Sequence, residues 1–240
     1  VNLSALLGAM GQRVLMIDLD PQGNTTSGLG MEVDDKSIYE VIMGRMKLTD
    51  VMEETEFKNL SIAGSDVRLA NAELELVEVE KREYRLKTAV QSVQQDFDFI
   101  FIDCPPSLGL LTINALGAAD SVLIPIQCEY YALEGVASLM NTISRVKKTI
   151  NPHLEIEGVL LTMLDGRTNL GLQVVDEVKK HFKKQVYATV IPRSVRLGEA
   201  PSHGAPIHVY DKRSAGCVAY VNLAKEILKR NNIKVKEFKL

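Results

Sequence analysis

Residues 14–24, with the sequence VLMIDLDPQGN, decide the fold of this chain. An apolar run contains Asp18 near its end, and Asp20 follows at the start of a segment that contains proline and glycine. A second apolar run, residues 99–106 (FIFIDCPP), ends in the same way at Asp103. Because the carboxyl ends of parallel strands meet at one edge of a sheet, we expect these aspartates to converge there. Carboxylates at such an edge suit Mg²⁺ and a nucleotide triphosphate.

Similar apolar runs recur along the chain and predict strands at residues 14–19, 60–64, 98–103, 121–126, 157–163 and 186–191. The central runs are continuous, which is typical of strands covered by helices on both faces. Strands that alternate with helical patterns predict an α/β fold with a doubly wound, mostly parallel sheet flanked by helices. No linker rich in Pro, Gly or Ser divides the chain, so we expect residues 1–240 to form a single domain.

The composition is that of a globular protein, with 46% hydrophobic and 25% charged residues. No stretch has the eighteen or so uncharged apolar residues that a membrane span needs. The number of cysteines is odd and they lack metal-ligand spacing, which favours reduced thiols in a cytosolic protein. These are Cys104, Cys128 and Cys217.

The net charge of −3 hides an uneven distribution. Residues 1–120 hold 10 Lys/Arg against 20 Asp/Glu, whereas residues 121–240 hold 18 against 11. A basic second half can attract a DNA backbone. The alternative is a solvated helix face, which fits Lys179, Lys180, Lys183 and Lys184 equally well.

Two segments outside the strands carry helical patterns. Residues 73–87 are highly charged with a broken apolar stripe, which predicts a surface helix that can reach a partner. Residues 215–231 predict a closing helix. The basic tail after it, residues 234–240, lacks a sustained apolar face, which argues against membrane anchoring.

Four segments together resemble one family. They are DLDPQGNTTSGLG (residues 18–30), FIDCPPSLG (101–109), DGRTN (165–169) and IPRSVRLGEAPSHG (191–204). Their types and order resemble the ParA/Soj branch of the deviant Walker P-loop ATPases, whose relatives include MinD and the nitrogenase iron protein. The resemblance runs through nearly the whole chain, and four motifs in the family's order are a specific signal.

The resemblance implies roles for individual residues. Asp103 resembles the Walker B aspartate that holds Mg²⁺, and Asp20 occupies the position that orients the attacking water. Asp18 lies two residues earlier on the same strand face and is expected to support the metal shell. Pro192 and Arg193 stand where family members hold the adenine.

Three arginines are candidates for contacts with the DNA backbone: Arg167, Arg193 and Arg196. Each has an alternative explanation as an exposed loop arginine or as the partner of a carboxylate.

One departure from the family pattern is serious. The 240 residues contain no Gly-x-x-x-x-Gly-Lys-Ser/Thr sequence. Residues 1–10 have a helical apolar spacing that Gly11 closes, and a strand follows. In this fold, a helix that feeds a parallel strand implies an earlier strand whose loop holds the phosphates. We therefore expect the chain to begin inside its first helix, without the first strand and phosphate loop, and to be inactive alone.

The resemblance implies an ATPase, with ATP and Mg²⁺ as cofactors, that partitions chromosomes or plasmids. Such a protein is a cytoplasmic, nucleoid-associated homodimer with ATP. It binds double-stranded DNA without sequence preference, and a ParB-like (Spo0J-like) partner stimulates hydrolysis; no membrane is involved.

Three alternatives remain at the level of sequence. A catalytically inactive scaffold that binds DNA or a partner fits the 240 residues if they are complete. A MinD-like positioning ATPase shares the superfamily. A phosphoacceptor receiver also places aspartates at strand ends, but it requires a lysine after a late strand, where Pro192 and Arg193 stand instead.

Overall fold

The computed structural model describes residues 1–129, 132–234 and 238, with backbone alone at 132–134. Most of the basic tail at 234–240 therefore lies outside the described residues. The described strands are β1 (Val14–Asp18), β2 (Met52–Glu54), β3 (Leu60–Ala63), β4 (Phe99–Asp103), β5 (Ser121–Gln127), β6 (Glu155–Leu164) and β7 (Val186–Pro192). All six predicted strands are present. The additional strand is β2, whose sequence Met-Glu-Glu carries no apolar run to reveal it.

The strands form two hydrogen-bonded sheets, in the orders β2-β3-β1-β4 and β5-β6-β7. Every pair is parallel except β2 with β3. The predicted α/β class and mostly parallel pairing are confirmed. We expected one sheet, and the structure differs because, among the described residues, β4 pairs only with β1 and β5 only with β6.

Helices fill the connections between the strands. They are α1 (Asn2–Ala9), α2 (Asn24–Gly28), α3 (Ile38–Ile42), α4 (Leu48–Val51), α5 (Ala72–Glu75), α6 (Arg85–Gln91), α7 (Leu110–Ala118), α8 (Ala132–Thr149), α9 (Asn169–Phe182), α10 (Val195–Glu199), α11 (Ile207–Tyr210) and α12 (Ala215–Arg230). The predicted closing helix corresponds to α12. Its N-terminus is capped by the Ser214 hydroxyl, which accepts from the Cys217 amide at 3.1 Å.

The core lies on both faces of β1, as its continuous apolar sequence predicts. Leu15 and Ile17 join one buried cluster, whereas Val14 and Met16 join another. This division follows the two-residue period of a strand. Helix α12 contributes to the second cluster and to a further one against which both β4 and β5 pack, so one helix supports both sheets.

The predicted helix over residues 73–87 is wrong. Helix α5 ends at Glu75, Lys81 adopts a left-handed φ of 53°, and α6 starts only at Arg85. The chain turns because its buried anchors are Leu76 and Leu86. Of the supposed apolar stripe, Leu74 and Val77 are left exposed, whereas Val90 and Val93 are buried.

Two of the motif segments meet backbone to backbone. Gly30 and Gly204 have φ values of 69° and 59°. A Cβ placed on Gly204 would lie 2.7 Å from the Gly30 Cα. The segment that follows Asp20 therefore packs directly against the segment that follows Arg193.

We expect Gly204→Ala to lower the free energy of unfolding by about 2–3 kcal/mol, because it adds left-handed strain and a backbone clash. Gly198→Ala on α10 is the matched control, since a Cβ there meets nothing within 4 Å. Urea unfolding followed by circular dichroism measures both, which suits a chain without tryptophan. Equal midpoints for the two variants would contradict the proposed contact.

Candidate functional site

The parallel pairing of β1 with β4 sets Asp18 directly beside Asp103 in the register. The amide of Leu19 then donates to the Asp103 carbonyl at 2.8 Å, which extends the pairing beyond the strand. Asp20 follows immediately, at the start of the loop that leads to α2. The predicted convergence at one sheet edge is therefore confirmed for Asp18 and Asp103.

Asp18 is fully buried and is held by three protein donors. One carboxylate oxygen accepts from the Asp20 amide at 3.2 Å. The other accepts from the Thr26 amide at 2.8 Å and from the Thr26 hydroxyl at 2.7 Å. Burial raises the pKa of Asp18, while these hydrogen bonds oppose the shift. The metal role expected for Asp18 stays a prediction.

Asp103 stands at the exposed end of β4. Its carboxylate accepts from the Thr25 hydroxyl at 2.7 Å. Asp20 is half-buried and accepts from the Gln22 amide at 3.0 Å. Carboxylate and hydroxyl oxygens are hard donors that suit Mg²⁺. Within the described part of the chain, no three His, Cys, Asp or Glu side chains are grouped to hold a metal. Mg²⁺ can bind at a site with so few protein ligands, because it usually keeps several waters and takes other ligands from substrate phosphates.

The segment after Asp103 starts with a partly buried thiol and two prolines. Burial, together with the charges of Asp103 and Asp20, raises the pKa of the Cys104 thiol to about 12. The segment ends at α7, whose second residue, Leu111, donates its amide to Glu73 at 3.3 Å. The end of this segment at α7 is thus anchored to Glu73.

We expect alkylation of Cys104 by iodoacetamide at pH 8 to be on the order of 10³-fold slower in the folded protein than in denaturant, because only the thiolate reacts. Peptide mass spectrometry after timed quenching measures this cysteine separately from the other two. A folded-state rate within about tenfold of the denatured rate would contradict the raised pKa.

The predicted adenine position lies at the end of β7. The backbone amide of Arg193 donates to the Leu164 carbonyl at 3.0 Å. The guanidinium of Arg193 forms a salt bridge with Glu129 at 2.8 Å. Arg193 also lines a cavity of about 840 Å³ together with residues that include Asp165 and Met163. Adenine binding at Pro192 and Arg193 remains a prediction. The cavity beside Arg193 offers space for a ligand.

The three candidate DNA-binding arginines each pair with carboxylates. Arg167 contacts Asp165 at 2.8 Å, and this contact holds the pKa of Asp165 well below its usual range. Arg196 contacts Glu199 at 2.9 Å and Asp211 at 3.4 Å. All three arginine side chains are more than half exposed. Exposed pairs of this kind contribute little stability, so these guanidiniums can exchange partners at small cost.

The contacts of Thr25 and Thr26 were not predicted from the sequence. The motif match drew attention to the glycines and aspartates, although these hydroxyls bond to Asp103 and Asp18 respectively. Two hydroxyl residues in succession, seven and eight positions after the strand aspartate Asp18, are the signal that could have found them.

None of the described helices combines the length and the hydrophobicity that a membrane crossing needs.

The family comparison matches residues 1–156 to a model described as an AAA domain. The sporulation initiation inhibitor protein Soj of Bacillus subtilis (strain 168) is 57% identical over 229 residues, which are 95% of this chain and 90% of that protein. The chromosome partitioning protein ParA of Myxococcus xanthus is 49% identical and covers 98% of this chain and 83% of its own length.

A solved structure is also similar over nearly the whole chain. It is cobyrinic acid a,c-diamide synthase from Mycobacterium smegmatis with a bound ATP analog and magnesium. The TM-score is 0.81 at 35% identity, with 99% of this chain and 93% of that chain covered.

Proposed function

Because the chain belongs to the Soj/ParA family of chromosome-partitioning ATPases, we propose that it hydrolyses ATP to partition chromosomes or plasmids. The observation that carries the proposal is the single sheet edge where Asp18 and Asp103 lie side by side and Asp20 begins the following loop. Phosphoryl transfer needs a divalent cation near the phosphates and an aligned nucleophile, and this edge offers groups for both.

In this proposal some residues bind Mg²⁺ and the nucleotide, and another aligns the attacking water. Asp103, with the Thr25 hydroxyl beside it, would hold Mg²⁺, which neutralises phosphate charge when bound. Asp20 would orient the attacking water from the start of its loop. Pro192 and Arg193 would hold the adenine at the end of β7, next to the cavity.

The phosphates need a further group, and we propose that residues outside these 240 supply it. The 240 residues contain no Gly-x-x-x-x-Gly-Lys-Ser/Thr sequence. In the described structure β4 and β5 each leave one side unpaired. Because unpaired strand edges present free N–H and C=O groups, an added strand between or beside them is favourable. We call the 240 residues together with such a strand and phosphate loop the loop-bearing protein.

The proposal extends to assembly and partners. ATP would join two copies into a dimer that binds double-stranded DNA through the basic second half, with Arg167, Arg193 and Arg196 at the contact. A ParB-like protein would stimulate hydrolysis, and the protein would act in the cytoplasm on the nucleoid. The exposed carboxylate-paired arginines support this, because phosphates can replace the carboxylates.

The first test is steady-state Mg·ATP hydrolysis. We expect the loop-bearing protein to turn over ATP, and the 240 residues alone to be slower by about 10³-fold or more, since they lack the phosphate-binding groups. Hydrolysis by the 240 residues alone that Asp20→Ala abolishes would contradict this expectation.

A second candidate function is a catalytically inactive scaffold that binds DNA or a partner. The exposed side chains of Arg167, Arg193 and Arg196 favour it, because they could contact DNA phosphates without any hydrolysis. The same assay decides between the two functions: a loop-bearing protein that binds DNA but hydrolyses no ATP would establish the scaffold.

A further inference from the structure

We propose that Asp18 and Thr26 are positioning residues that together hold both ends of the loop carrying Asp20. This segment, residues 20–26, comprises the loop after β1 and the first turn of α2 and is called the Asp20 loop. The proposal rests on the proposed ATPase function, and it deepens that function by assigning Asp18 a role through the loop rather than through a metal ion.

The Asp18 carboxylate contacts both ends of the Asp20 loop. One oxygen of Asp18 accepts from the amide of Asp20, where the loop starts, and the other accepts from the amide and hydroxyl of Thr26, where it ends. A single rigid side chain on β1 therefore fixes the distance between the two ends of the loop. Both Asp18 and Thr26 are almost completely buried, so water does not compete for these bonds.

A further hydrogen bond anchors the Asp20 loop next to the neighbouring strand β3. The Thr26 hydroxyl, which donates to Asp18, also accepts from the Ser65 amide at 3.0 Å. Ser65 follows β3, so one hydroxyl ties the Asp20 loop to β1 and β3 together. The loop runs close to this anchor, because a Cβ on Gly23 would lie 3.3 Å from the Ser65 carbonyl oxygen.

The Asp18 carboxylate is already engaged in hydrogen bonds with the protein. A buried carboxylate is costly unless it is hydrogen-bonded, and here three protein donors satisfy it. Those donors take three of the about four lone-pair sites of the carboxylate, which leaves it little capacity to bind a cation. The same bonds hold the backbone of Asp20, and small displacements of a catalytic group reduce rates strongly.

The adjacent residue supplies a matched comparison. The Thr25 hydroxyl donates to Asp103 at 2.7 Å, whereas the Thr26 hydroxyl donates to Asp18 at the same distance. Two neighbouring and chemically identical hydroxyls therefore serve different aspartates. Removing each in turn separates an effect on the Asp20 loop from an effect on the Mg²⁺ site.

The kinetic experiment uses the loop-bearing protein and the isosteric change Thr26→Val. We expect kcat to fall about 10²-fold, while the KM for ATP and the Mg²⁺ concentration for half-maximal rate change less than about threefold. Thr26→Ser keeps the hydroxyl and should restore kcat to within about threefold. Thr25→Val should instead raise the Mg²⁺ requirement. Failure of Thr26→Ser to restore kcat would overturn the proposal.

The role of Asp18 is tested by Asp18→Asn alone and combined with Thr26→Val. Because the two residues act as one unit, the double variant should lose no more kcat than either single variant. Additive losses would overturn the proposal. A second result would also overturn the proposal: Asp18→Asn needs about tenfold more Mg²⁺, whereas Thr26→Val does not. That result would identify Asp18 as a metal ligand.

A second measurement needs no ATP hydrolysis. In the 240 residues without nucleotide, hydrogen exchange at the Ser65 amide should be about tenfold faster in Thr26→Val than in the wild type and unchanged in Thr26→Ser. The amides of β1 are the internal control for global folding. Unchanged Ser65 exchange in Thr26→Val would overturn the anchor. If the wild-type loop-bearing protein hydrolyses no ATP, the proposed function fails while this measurement still judges the loop geometry.

Discussion

Replacing Asp20 by alanine in the loop-bearing protein is expected to lower ATP turnover about 10³-fold, because the group that orients the attacking water is removed. Nucleotide binding and ATP-dependent dimerisation should persist, since among the described residues the Asp20 carboxylate accepts a hydrogen bond only from the Gln22 amide of its own loop. Steady-state hydrolysis measures the first effect, and sizing by light scattering with and without ATP measures the second.

The matched control is Asp34→Ala, which removes an exposed loop carboxylate on the same segment of chain. It should leave turnover within about twofold of the wild type. An Asp20→Ala variant that no longer dimerises with ATP would contradict the assigned role, because water orientation is not needed for binding.

Replacing Asp103 by alanine is expected to weaken Mg·ATP binding itself by about 10–100-fold. The variant removes the carboxylate that the Thr25 hydroxyl contacts, and therefore the main proposed attachment for the cation. ATP-dependent dimerisation should fall with it. Binding of ATP measured with and without Mg²⁺ isolates the metal contribution, since the Mg²⁺-free affinity should change little.

The two variants form a pair with opposite expectations. Asp20→Ala should stop turnover and keep the dimer, whereas Asp103→Ala should lose both. Equal loss of the dimer in both variants would show that the roles of water orientation and metal binding have been assigned incorrectly.

The sequence predicted those parts of the fold that depend on local pattern. Continuous apolar runs located six strands, and the shared ending of two runs predicted that Asp18 and Asp103 would meet. It missed β2, since a Met-Glu-Glu strand depends on the edge of β3 and not on its own hydrophobicity. It also predicted a helix at 73–87, where tertiary burial of Leu76 and Leu86 overrides the charged helical pattern.

The candidate site was predicted in position and only partly in detail. Strand-end aspartates are visible in sequence because they interrupt apolar runs. The hydrogen bonds of Thr25 and Thr26 are not, because they join residues up to 78 positions apart through the folded sheet. The Glu129 partner of Arg193 likewise becomes visible only in three dimensions, whereas Asp165 and Glu199 lie within three residues of their arginines, Arg167 and Arg196.

The central claim is a nucleotide-controlled protein that binds DNA through charge. Its most direct test is a titration of the loop-bearing protein with unrelated DNA duplexes over a salt series, first with ATP and then with ADP. We expect ATP-dependent binding that is nearly independent of sequence and falls on the order of 10³-fold between low and physiological salt. Arg196→Glu should weaken it with the ATP-dependent dimer intact. Binding that is insensitive to salt, or equally strong with ADP, would contradict the account.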